Sequence, residues 1–132
     1  SIIMFEKATR QKLRFQTDKG LLTVEDLWDL PLTSNHGRTN LDDVARKLHS
    51  QLKNDNNVSF VVKELKSDES VQLAFDVVKH IIDVKLVERD AANLAAATKE
   101  KKQQIMQLIV NKEQSALAEM PLDELRKMVE AM

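Results

Sequence analysis

Three histidines, His36, His49 and His80, are the residues of this chain best suited to proton transfer or metal ligation. A zinc or non-haem iron site would need two of them one helical turn apart, or one beside carboxylates on a shared face. They are 13 and 31 residues apart, so no two of them pair, and His80 has Asp83 one turn away but no second histidine. His80 instead falls within an apolar stripe, which suits a packed or interface histidine. The carboxylate pairs Glu25–Asp26 and Asp42–Asp43 each open a helical pattern, where acidic side chains favour the helix dipole, so they read as helix-start charges. "KNDNN" (53–57) lacks the central Gly and closing Glu of a calcium loop. The expected catalytic, metal-ligating and cofactor-binding residues are therefore none.

Composition excludes further chemistry. Cysteine is absent, which removes disulfides, thiolate catalysis and Cys-based zinc sites. Only Gly20 and Gly37 occur, so the glycine-rich loops that bring backbone close to phosphate are missing. Lys plus Arg total 20 against 21 Asp plus Glu, a net charge of −1 and no global footprint for nucleic acid. No apolar run approaches the roughly 20 residues of a membrane span. "SIIMFEKATR" is too short and too soon charged for the apolar region of a signal peptide.

Two surface candidates remain. "KEKKQQ" carries Lys99, Lys101 and Lys102 on a helical pattern. Such a run suits a phosphate-contacting helix as well as a solvated face, and no interleaved aromatics support base stacking. The lone tryptophan, Trp28, sits in "TVEDLWDLPLTS". Acidic residues alternating with Trp and Leu can form a docking peptide. They can equally plug a core, since burying one large apolar side chain is worth about 1.5–3 kcal/mol. The plug is the expectation, with Trp28 mostly buried against the long helix described below.

The elements positioning these residues follow from periodicity. "KLRFQT-DKG-LLTV" predicts a β-hairpin: Leu13 and Phe15 alternate with Arg14 and Gln16, and Gly20 supplies a positive φ. Thr23 then caps a helix of about two turns, with Asp26 as a weak capping box, and Pro31 stops it. "PLTSNHGRTN" is loop-like. Asn40 caps an amphipathic helix whose Leu41, Val44, Ala45, Leu48 and Leu52 share one face. "VSFVVKEL" (58–65) reads equally as strand or helix.

From Ser67 or Asp68 no Pro or Gly occurs before Pro121. A continuous helix to about residue 117 would span roughly 75 Å. A 4–3 spacing runs from Leu73 to Lys112, apolar except at His80, Thr98, Lys101 and Lys112. That period predicts left-handed supercoiling. Val71, Ala74, Phe75, Val78, Ile81 and Ile82 add a second apolar face, so residues 71–87 are expected in the core. Alanine and charge dominate the next three turns, before "IMQLIV" (105–110) restores an apolar patch about 35 Å further along. With little chain left to cover it, Leu94, Ile105, Leu108 and Ile109 are the expected oligomer interface. A short terminal helix follows Pro121, with Leu122, Leu125, Met128 and Val129 on one face.

The expected fold is thus mainly α: a small N-terminal β-hairpin followed by helices and one long C-terminal coiled-coil-like helix. Residues 1–66 and 67–132 form the two parts of one cooperative domain. "VEDLWDLPL", "DVVKHIIDVKLVERDAA", "KEKKQQIMQLIV" and "PLDELRKM" together resemble a family of small accessory proteins of tailed bacteriophages. The resemblance covers nearly the whole chain, least in 33–66. It implies an origin and a place of work inside a bacterial host, in the host cell cytoplasm or in the particle made there, and it transfers no site residue.

Two functional readings result. One is a non-enzymatic homo-oligomeric phage accessory protein that binds a host or phage protein or sequesters a ligand between subunits. The alternative is a nucleic-acid-associated accessory factor in phage replication or recombination, resting on the three lysines, with Trp28 and those lysines as the possible partner surface.

Overall fold

The structure is a computed structural model, and it describes residues 2–54 and 68–132. It is mainly helical, in the order α1 (Ile2–Arg10), β1 (Phe15–Thr17), β2 (Gly20–Leu22), α2 (Val24–Trp28), α3 (Leu41–Asn54), α4 (Asp68–Glu119) and α5 (Leu122–Ala131). Two compact units divide within α4, Ser1–Glu88 and Arg89–Met132. The ambiguous segment 58–65 lies outside the described residues.

The hairpin forms as its residues require. Phe15 pairs with Leu22, Gln16 with Leu21 and Thr17 with Gly20, antiparallel. Asp18 and Lys19 make the turn, and Gly20 takes φ +97°, a region that L side chains avoid. The Thr17 hydroxyl accepts from Lys19 N–H (3.2 Å) and donates to Gly20 O (2.9 Å), which ties the turn to its own strand.

Both N-caps expected from sequence are present. Thr23 Oγ1 accepts from Asp26 N–H (3.2 Å) while Asp26 Oδ2 accepts from Thr23 N–H (2.9 Å), a complete capping box. At α3 three of the amides that a helix start leaves without intrahelical partners find acceptors, and a fourth bond opens the helical ladder. Leu41 and Asp42 N–H donate to Pro31 O (2.9 Å) and Leu32 O (3.0 Å), so the loop closes on its own base. Asp43 N–H donates to Asn40 Oδ1 (2.9 Å) and Val44 N–H to Asn40 O (3.2 Å). Asn40 is buried, and its Nδ2 is satisfied by Arg38 O and Asp43 Oδ2.

Sequence reading missed α1. Met4, Phe5 and Ala8 carry its apolar face at spacings of one turn, and Ala8 enters the core. The helix ends in a Schellman motif: Leu13 N–H donates to Ala8 O (3.0 Å) and Lys12 N–H to Thr9 O (3.1 Å). The left-handed position falls on Lys12, at φ +50°, where glycine is usual. No glycine marks the stop in sequence, which hid the helix.

One core joins every element of the N-terminal unit. It gathers Ala8, Phe15, Leu27, Leu30, Leu41 and Val44 around Ala74, Val77, Val78 and Ile81 of α4. Two expectations are corrected here. Trp28 keeps 38% of its surface exposed, and Leu27 and Leu30 are the core plug. The five-residue α2 turns about 100° per residue, so aiming Leu27 inward, with Leu30 one turn on, swings Trp28 toward solvent. The core also ends before residue 87, because Val87 is 70% exposed. The buried face of α4 (Val71, Ala74, Val77, Val78, Ile81) is the second apolar face together with Val77. Leu73, His80 and Val84 of the 4–3 stripe are only half-buried.

Candidate interaction surface

The C-terminal unit contains the rest of α4 and all of α5. Alanines at 91, 92 and 95–97 have the highest helix propensity of any residue, and nothing between Asp68 and Met120 breaks the chain. The result is a helix that persists without burial: every residue from Val87 to Glu119 is exposed.

That exposure includes the expected interface. Leu94 is 70%, Ile105 46%, Leu108 60% and Ile109 50% exposed. Eleven residues are close to three helical turns, so Leu94 lies in line with Ile105, and Leu108 and Ile109 continue the same face. Met106, Val110 and Leu117 widen it. A polar face opposes it, where Gln107 Nε2 donates to Asn111 Oδ1 (3.0 Å). The segment is thus amphipathic, with its apolar side uncovered.

The lysines are placed differently from one another. Lys101 and Lys102 precede Ile105 by four and three residues, so they border the apolar face one turn away. Lys99 and Lys102 flank a shallow groove formed by Ala91, Leu94, Ala95 and Thr98. Among the described residues, Arg89–Asp90 (3.4 Å) is the ion pair of this unit, so no carboxylate neutralises the three lysines.

Helix α5 begins at Pro121, whose carbonyl accepts from Glu124 N–H (3.0 Å) and Leu125 N–H (3.1 Å). It is amphipathic too. Leu122, Met128 and Val129 are exposed, and Leu125 is half-buried. These residues were legible as one face from their spacing.

Trp28 belongs to the other unit, with its indole partly open to solvent. The histidines are held apart there. His80 meets Phe5 edge-on at 5.3 Å, His49 lies at 5.7 Å from the Phe75 ring, and His36 is in the 31–40 loop. Among the described residues no three His, Asp or Glu side chains gather as a metal site. No helix among the described residues is long and apolar enough to cross a membrane. Asp26 shows a perturbed acidity: hydrogen bonds from the Thr23 backbone and then its hydroxyl, with Arg14 adding attraction, hold the carboxyl below its ordinary value. Its role is the cap.

Comparison with protein-family models, curated proteins and solved structures finds no match.

Proposed function

We propose that this chain is a non-enzymatic phage accessory protein that acts in the host cytoplasm as a self-associating helical module and binds a protein partner. The observation that carries the reading is the uncovered face of Leu94, Ile105, Leu108 and Ile109 on a helix with 3.5-residue apolar spacing. An exposed apolar patch on a folded chain marks an interaction surface. A second copy is the occupant that fits best. The same spacing on both chains makes a self-complementary seam, a net charge of −1 adds almost no mutual repulsion, and closed homo-oligomers are the commonest assemblies. Lys101 and Lys112, both on the 4–3 stripe, disfavour registers that would bring two lysines together.

The phage origin rests on the sequence resemblance. Sedimentation equilibrium tests the self-association: a dimer or higher oligomer is expected at micromolar concentration, and Ile105→Asp with Leu108→Asp should give a folded monomer. A wild-type monomer at that concentration would overturn the reading.

The unneutralised Lys99, Lys101 and Lys102 support the alternative, a nucleic-acid-associated factor. Retention on single- or double-stranded DNA that falls steeply with salt, and is lost with the three lysines changed to Gln, would favour it over self-association.

A further inference from the structure

The N-terminal unit contains a recess of about 350 Å³ between the hairpin, α3 and the first turns of α4. Its floor is apolar, made by Phe15, Val44, Leu48 and Ala74. Its rim is cationic: among the described residues Lys12, Arg14 and Lys47 line it, and no Asp or Glu does. The local structure explains how the cations arrive there. Lys12 is carried by the left-handed turn closing α1, Arg14 leads into β1, and Lys47 follows Val44 by one turn of α3.

None of the three forms a salt bridge among the described residues. Arg14 donates to Leu13 O (2.9 Å) and feels the Asp26 carboxylate from outside the recess. Like charges gathered around an apolar surface repel one another, and no described residue of the site offsets them. A chain folded only for stability gains nothing from that arrangement, whereas an anion at the rim would reverse its sign. The volume lies in the range of small-molecule sites, about 300–1,000 Å³.

We propose that this recess binds a small amphipathic carboxylate, its acyl chain on the Phe15–Leu48 floor and its head group at Lys12, Arg14 and Lys47. The site is built within the N-terminal unit and does not depend on self-association. Gln51 and Ser70 also line it. They flank residues 55–67, so the test uses the full chain.

Isothermal titration with octanoate, octanol and acetate separates the contributions of head and body. Octanoate should bind one per chain, about tenfold tighter than octanol, and acetate should give no measurable heat. Lys12→Gln with Lys47→Gln should abolish the preference for octanoate while far-UV circular dichroism is unchanged. Arg14→Gln, a single exposed substitution, should weaken it by itself. Ile105→Asp with Leu108→Asp should leave octanoate binding intact, which places the ligand away from the apolar face of the C-terminal unit. Absence of octanoate binding, equal affinity for octanol, an unchanged preference in the lysine variants, or loss of binding in the Asp variants would each overturn the proposal.

Discussion

The ammonium of Lys85, on α4, donates to Trp28 O at 2.9 Å and to Leu30 O at 2.5 Å, across 57 and 55 residues of chain. These carbonyls lie at the end of α2, where a helix leaves acceptors unpaired, and Pro31 prevents the chain from continuing the ladder. Lys85 thus acts as a C-cap from a distant element, and fastens α2 to the core helix. Lys85→Met keeps the aliphatic stem and removes the charge. We expect a loss of about 1–2 kcal/mol, since hydrogen bonds from a charged donor exceed neutral ones. Urea denaturation should show a lower midpoint at unchanged slope; an unchanged midpoint would leave Lys85 without this role.

Leu27, not Trp28, fills the core from α2. Leu27→Ala should therefore cost about 2–5 kcal/mol, as for other fully buried leucines, and more than Trp28→Ala. The indole should emit at a wavelength between buried and free tryptophan, and acrylamide should quench it. A Trp28→Ala variant less stable than Leu27→Ala would reverse this assignment.

Lys12 occupies the left-handed position of the α1 terminus. That conformation costs an L residue about 1–2 kcal/mol and glycine almost nothing. Part of the gain is returned because glycine loosens the unfolded chain. Lys12→Gly should raise the stability by roughly 0.5–1 kcal/mol, read as an increase in Tm. A lower Tm would show that the lysine side chain contributes more than its backbone costs.

Acid should weaken the α2 cap. The folded-state pKa of Asp26 is depressed by the Thr23 backbone N–H and then its hydroxyl. A depressed carboxylate contributes stability that is complete above its unfolded value, near 3.8, and is lost as pH falls through the lower folded value. The stability difference between wild type and Asp26→Asn should be level from neutral pH to about pH 5 and shrink below about pH 4. A difference independent of pH over that range would mean that the capping box does not carry the effect.

What the sequence alone determined is local. Asp68 and Pro121 bound the long helix because nothing between them interrupts helical dihedrals and proline cannot extend them. Gly20 marked the hairpin turn, and Thr23 and Asn40 marked two helix starts, because each acts on amides within three residues. The uncovered face of Leu94, Ile105, Leu108 and Ile109 was legible for the same reason: spacing along one helix sets which residues share a side. Tertiary structure decided the rest. The long helix offers two overlapping apolar faces, and only the elements packed on it select the Ala74–Val78–Ile81 side. Leu27 and Trp28 are equally apolar neighbours, and the docking angle of one short helix chooses between them. The Lys85 contacts and the cationic rim join residues dozens of positions apart. No periodicity encodes such meetings, because they arise when separately formed elements find a common core.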